Sequence, residues 1–135
     1  MISDTAVIDL LKDENTLLDS RLVGVSVTQV REENPIVELR FRARPGSEFS
    51  QITITFSDVV AYEISYDESE REVDIWELKL LQLEDKSFYI SLDPDPATLP
   101  AAGTKNVQAS GTDLFFVRAR RVAALVTKIA TAGGT

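Results

Sequence analysis

The sequence predicts an α+β protein that is mostly antiparallel β, with about seven strands in a sheet or partly open barrel and an N-terminal amphipathic helix. Near the N-terminus apolar residues recur at helical spacing, whereas from Val23 onward they alternate with polar residues, as in half-buried strands. Short turn signals join most of these segments, and no strand–helix–strand alternation indicates a parallel sheet. The 135 residues fit a single domain, 1–135.

The helix is predicted over residues 4–18. Ser3 provides a hydroxyl that can cap it, and Asp4 places a carboxylate near the positive end of the helix dipole. Its apolar residues recur at roughly helical spacing: Val7, Leu10, Leu11, Leu17 and Leu18.

Four strands are predicted between residues 23 and 66, with a turn at 32–35 and another at 45–47. The second strand has the clearest alternation, which predicts that one face is buried and that Arg40 and Arg42 are exposed. The residues expected to face the core, strand by strand, are Val23, Val25 and Val27; Val37, Leu39, Phe41 and Ala43; Ile52, Ile54 and Phe56; and Tyr62, Ile64 and Tyr66. Ser57 and Asp58 are expected to separate the third strand from the fourth.

Residues 72–92 are open to two interpretations. Val73, Trp76, Leu80 and Leu83 fit one face of a helix, whereas Trp76, Leu78 and Leu80 fit a strand. In the second interpretation the polar residues 84–87 form a hairpin turn into a strand with Phe88, Ile90 and Leu92. We favour the hairpin, because a helix that ended at Leu83 would have to turn at once into a strand.

The C-terminal third is predicted to begin with a long loop over 93–112, since its prolines and glycines interrupt any long regular element. A final strand begins near Asp113, where Phe115, Val117 and Ala119 alternate with Phe116, Arg118 and Arg120. Residues 122–129 either continue this strand or form a short helix. Residues 130–135 are expected to fray.

The composition excludes several kinds of site. There is no cysteine and no histidine, so thiolate metal sites and Ser-His-Asp or Cys-His catalysis are excluded. Asp93 and Asp95 stand two residues apart, but the adjacent prolines and the lack of a third ligand favour a turn over a calcium site. No glycine-rich phosphate loop is present. We expect no cofactor and no metal ion.

The charge indicates which partners to expect. The formal charge is −8, which disfavours nucleic acid and anionic membranes and is compatible with a basic protein partner. The acidic N-terminus does not read as a signal peptide, and no apolar run reaches membrane-spanning length. A cytoplasmic protein is therefore expected, and homo-oligomerisation stays open.

The acidic stretch SYDESEREVDIW, residues 65–76, is one candidate partner-binding segment. Contiguous carboxylates spread along a loop, whereas catalytic pairs need to converge on a partly buried cleft. We interpret the stretch as a solvated connection, with a partner-binding patch as the alternative. The candidate residues are Asp67, Glu68, Glu70 and Glu72.

Two sets of arginines form the second candidate surface. Arg40, Arg42 and Arg44 share one face of a predicted strand, and Arg118 and Arg120 share one face of another. If the two strands are neighbours, these residues form a basic stripe on which Phe116 is an exposed aromatic anchor. The interpretation that we favour is that the arginines pair with Glu38, Glu63 or Glu77, with the partner-binding stripe as the alternative.

The aromatic residues at alternating positions are predicted to be core: Phe41, Phe56, Tyr62, Trp76 and Phe88. The function expected from all of this is a small acidic, non-catalytic protein-binding domain. One form would be an inhibitor that blocks a basic toxin, as bacterial immunity proteins do, although no motif carries a family resemblance. The alternatives are an enzyme or ligand carrier with a pocket between helix and sheet that uses Glu, Tyr or Arg, and a structural or self-assembling subunit.

Overall fold

One antiparallel sheet of eight strands organises the described part of the chain in the computed structural model, which describes residues 1–29, 31–64, 73–94 and 113–129. The strands are β1 (Ile2–Ser3), β2 (Arg21–Thr28), β3 (Ile36–Arg42), β4 (Phe49–Glu63), β5 (Val73–Asp74), β6 (Lys79–Gln82), β7 (Phe88–Ser91) and β8 (Phe116–Lys128). Their order is β5-β2-β3-β4-β8-β7-β6, and β1 also pairs with β8. The predicted antiparallel sheet is confirmed.

The sheet is curled into a half-barrel, as the chain path between β5 and β6 requires. These strands lie at the two ends of the strand order. Adjacent strands are about 4.8 Å apart, so a flat sheet of seven would separate its end strands by about 29 Å. The chain between Asp74 and Lys79 can reach only about 18 Å when fully extended. The two edges therefore approach each other.

The one α-helix among the described residues is the short α1 (Thr5–Leu10), which packs against β1, β6 and β8. The predicted helix over 4–18 is wrong beyond Leu10, because Asp13 has a φ of 54° and a short 3-10 turn follows at Asp13–Asn15. The predicted Ser3 cap is also wrong: Ser3 belongs to β1, and Asp4 precedes the helix without a side-chain cap. The buried residues Val7, Leu11 and Leu17 reach the core from this largely irregular segment.

The Asn15 side chain fixes the segment after α1 to the turn between β3 and β4. Its Oδ1 accepts hydrogen bonds from Ser47 Oγ at 3.1 Å and from the Glu48 backbone N–H at 3.0 Å. Its Nδ2 donates to Glu48 Oε2 at 3.0 Å. These three bonds hold Leu11 and Leu17 in the core without a continuing helix.

The alternation predicted for β3 is confirmed. Val37, Leu39 and Phe41 are buried and Arg40 and Arg42 are exposed, while Ala43 is only half-buried. In β2 a register shift between Leu22 and Gly24 puts Leu22 opposite Phe41, with Val25 and Val27 opposite Leu39 and Val37. Val27 is nevertheless exposed, because β2 lies next to the sheet edge.

Residues 49–63 form one long strand, so the predicted break at Ser57–Asp58 is wrong. The strand is irregular near these residues, but it continues: Asp58 has a φ of 53°, and the register with β8 shifts between Val59 and Ala61. Ile52, Ile54 and Phe56 are buried as predicted. Tyr62, predicted to be core, is 43% exposed, and Tyr66 lies outside the described residues.

The hairpin over 79–91 is confirmed, and the helical interpretation of 72–83 is wrong for its described part. β6 and β7 pair from Lys79↔Ser91 to Gln82↔Phe88. β8 continues as a strand through Lys128, so the alternative of a short helix over 122–129 is wrong. Most of the predicted loop, 95–112, and the predicted frayed tail, 130–135, lie outside the described residues.

The inner face of the curled sheet holds the core. On this face, buried residues of β3 lie directly opposite buried residues of β4: Phe41 pairs with Ile52, Leu39 with Ile54, and Val37 with Phe56. Within the described ranges, no helix is long and apolar enough to cross a membrane.

Candidate functional site

The two predicted arginine sets do not form one stripe. β4 lies between β3 and β8, so the strands are not neighbours. The rows also differ, because Arg40 pairs with Thr53 near one end of β4 whereas Arg118 pairs with Ala61 near the other. Arg44 follows β3 and points its guanidinium toward the Asp13 carbonyl oxygen at 3.5 Å. The two sets are therefore separate surfaces.

Several of these arginines pair with carboxylates. Arg40 Nη1 lies 3.1 Å from Oε1 of Glu38, one of the predicted partners. The Arg40 guanidinium also covers Gly24, where an added Cβ would be only 2.3 Å from Arg40 Nη2. The other partners are carboxylates that the sequence did not indicate: Asp85 for Arg118 at 2.5 Å, and Asp58 for Arg120 at 3.8 Å. Exposed pairs of this kind contribute little to stability.

Phe116 is not the exposed anchor that the alternation suggested. Its side chain is half-buried and its ring stacks on Tyr89, with centroids 5.7 Å apart and an angle of 24° between the rings. The predicted acidic residues Asp67, Glu68, Glu70 and Glu72 lie outside the described residues. Of the stretch 65–76, the structure describes residues 73–76, which include Asp74, Ile75 and Trp76.

A shallow groove surrounds Arg118 at the end of the β6–β7 hairpin, with a volume of about 750 Å³. Lys86 and Arg120 line it together with Asp85. The hydroxyl of Ser87 donates to Asp85 at 2.5 Å and its backbone N–H donates at 3.0 Å. These bonds, and then Arg118, lower the pKa of Asp85 from 3.8 to about 2, so the carboxylate stays charged.

This arrangement predicts a pH dependence. Because the folded pKa of Asp85 lies below its ordinary value of 3.8, the charged carboxylate stabilises the fold above about pH 4. That contribution is lost as the pH falls from 3.8 to about 2. An NMR titration should find the low pKa in the wild type and a pKa nearer 3.8 in Ser87→Ala. A wild-type value of 3.8, or no change in Ser87→Ala, would contradict the assignment.

A buried polar cluster, which sequence reasoning missed, joins β6, β7 and the start of the last segment. Lys79 Nζ lies 3.1 and 3.0 Å from the two carboxylate oxygens of Asp113, and both side chains are fully buried. The Tyr89 hydroxyl donates to the same carboxylate at 2.5 Å. The cluster thus links residues 34 positions apart in the sequence at a site that is shut off from solvent.

Trp76 is the most unusual feature of the described surface. It was predicted to be core, but its side chain is 78% exposed. The cause is the neighbouring Ile75, whose side chain is buried and whose backbone N–H and carbonyl bond Ser20 and Asp19 at 3.0 and 2.9 Å. In an extended chain neighbouring side chains point in opposite directions, so burying Ile75 turns Trp76 outward.

Two grooves meet at Trp76. The first, which we call the arginine groove, has a volume of about 410 Å³ and is lined by Asp19, Arg21, Arg42, Pro45, Asp74 and Trp76, with Ala43 and Ile75. Arg21 and Arg42 are direct cross-strand partners, an arrangement that like charges disfavour. The Asp74 carboxylate, 3.1 Å from Arg21 Nε, offsets the repulsion between the two arginines.

The second groove, which we call the acidic groove, has a volume of about 260 Å³. Its apolar lining is Leu22, Val73, Ile75, Leu92 and Phe115, and its carboxylates are Asp74, Glu77 and Asp93. Trp76 lines this groove as well. We call Trp76 together with the lining of both grooves the Trp76 surface.

No group of three potential ligands that could hold a metal ion occurs within 1–29, 31–64, 73–94 and 113–129. Comparisons with protein-family models, curated proteins and solved structures found no match to this chain. Its function is therefore inferred from the geometry of its own residues.

Proposed function

We propose that this chain is a non-catalytic protein-binding module that engages its partner through the Trp76 surface. The observation that carries the proposal is the 78% exposure of the Trp76 side chain beside Arg21 and Arg42. Tryptophan and arginine are enriched among the few interface residues that carry most of the binding energy. A tryptophan also has a large apolar surface that is favourable to remove from water.

The positions of the polar residues support binding over catalysis. Lys79, Tyr89 and Asp113, the one fully buried ionic cluster in the described residues, bond to each other and are shut off from solvent. The grooves at Trp76 contain charged side chains of both signs, some of which are already paired, as in the Arg21–Asp74 contact. Such surfaces suit recognition, where complementary charges fix the orientation of a partner.

The partner we propose is a basic protein, and the binding is inhibitor-like, because the chain has a formal charge of −8. Of the residues predicted from sequence to bind a partner, Arg42 belongs to the Trp76 surface. We propose the cytoplasm as the place of binding, in keeping with a chain that has no cysteine for disulfides.

The test is an affinity capture from an extract of the source organism, followed by reconstitution with the purified partner. We expect Trp76→Ala to weaken binding by at least 2 kcal/mol, about 30-fold, because the variant loses the central aromatic contact. Isothermal titration calorimetry with the purified partner measures this change.

The matched control is Tyr62→Ala, which removes a 43% exposed aromatic side chain from β4. This variant should bind within about threefold of the wild type. A partner that binds Trp76→Ala as tightly as the wild type, or one that is lost equally with Tyr62→Ala, would overturn the proposed surface.

A further inference from the structure

We propose that the acidic groove receives an arginine or lysine side chain from an exposed basic segment of the partner. This inference rests on the proposed function and names the chemistry that the Trp76 surface recognises.

The size and lining of the groove suit one long side chain. Its volume of about 260 Å³ lies below the range of about 300–1,000 Å³ typical of small-molecule sites. Leu22, Ile75, Leu92 and Phe115 provide apolar surface for a methylene stem. Lysine and arginine bury such stems while their charged ends stay near polar groups.

The charges of the groove select a cation. No lysine or arginine is among the described residues that line it, whereas Asp74, Glu77 and Asp93 are. Asp74 is shared with Arg21, but neither Glu77 nor Asp93 forms an ion pair within the described ranges. These two exposed carboxylates give the groove a negative charge that a cationic side chain would balance.

Trp76 provides a further attraction for the same ligand. A guanidinium or ammonium group near the face of an indole is attracted by the ring, and tryptophan is the strongest of the aromatic residues in this respect. The arginine groove also borders Trp76, but there Arg21 and Arg42 are balanced by Asp19 and Asp74, so its described lining has no net charge that would attract the same cation. A basic side chain is therefore expected in the acidic groove.

Because the chain contains one tryptophan, the indole N–H signal of Trp76 in an NMR spectrum reports on this site alone. The probes are three acetylated and amidated peptides, Gly-Leu-X-Leu-Gly, where X is arginine, its neutral isostere citrulline, or glutamate. We expect the arginine peptide to shift the indole signal with a millimolar dissociation constant, and the citrulline peptide to bind at least tenfold more weakly. The glutamate peptide should not bind measurably.

The double variant Glu77→Gln/Asp93→Asn should lose the preference for arginine over citrulline. The matched control is Glu32→Gln/Glu33→Gln, which makes the same change in charge at exposed positions after β2 and should keep the preference.

Three results would overturn the inference: equal affinity for arginine and citrulline, no indole shift by the arginine peptide at millimolar concentration, or equal loss in both double variants. If a captured partner still depends on Trp76, the failure belongs to this inference alone. If partner binding is also independent of Trp76, the proposed function fails as well.

Discussion

Replacing Lys79 with methionine is expected to lower the free energy of unfolding by about 3–5 kcal/mol, because it leaves the buried Asp113 carboxylate without its ammonium partner. Methionine keeps most of the volume of the lysine stem, so loss of packing contributes little. Urea denaturation with an unchanged slope measures the difference.

Two further variants separate the buried charge from other causes. Lys86→Met, at an exposed lysine in the β6–β7 turn, should change the free energy of unfolding by less than about 0.5 kcal/mol. The triple variant Lys79→Met/Asp113→Leu/Tyr89→Phe removes the whole cluster and should recover much of the loss, since apolar replacement of a buried ion pair is often neutral or stabilising. A loss below 1 kcal/mol in Lys79→Met would show that the cluster is hydrated or not formed.

Replacing Phe41 with alanine is expected to cost about 3–5 kcal/mol of unfolding free energy. The side chain is 1% exposed, and its cross-strand partners are Leu22 on β2 and Ile52 on β4, so its removal leaves a cavity between three strands. Chemical denaturation is again the measurement.

Tyr62→Ala is the control for Phe41→Ala, because it makes a similar truncation at an exposed position of β4. It should cost less than about 1 kcal/mol. Similar losses in both variants would contradict the orientation of β3 and β4 in the sheet.

The strands could be predicted from the sequence wherever one face is apolar and the other polar. In β3 the alternation of Val37, Leu39 and Phe41 with Glu38 and Arg40 specifies both the strand and its buried face. The helix was predicted too long because Leu17 and Leu18 repeat the positions of Leu10 and Leu11 seven residues later, although Leu17 reaches the core through a turn fixed by Asn15.

The candidate site could be predicted only in part, because its decisive features depend on contacts distant in sequence. Lys79 is buried because it contacts Asp113, which is 34 residues away in the sequence. No local sequence pattern predicts this contact. Trp76 is exposed because its neighbour Ile75 is buried and bonds to Ser20, a residue far away in the sequence that lies just before β2. Arg42 was a candidate from its position in β3, but its cross-strand partner Arg21 follows from strand pairing.

The most direct test of the Trp76 surface is acrylamide quenching of the fluorescence of this sole tryptophan, with and without the purified partner. The exposure of the side chain predicts that Trp76 in the free protein is quenched nearly as strongly as in the urea-unfolded chain, and that the partner shields it. A tryptophan that is already shielded in the free protein, or one that is quenched equally in the complex, would contradict a binding surface at Trp76.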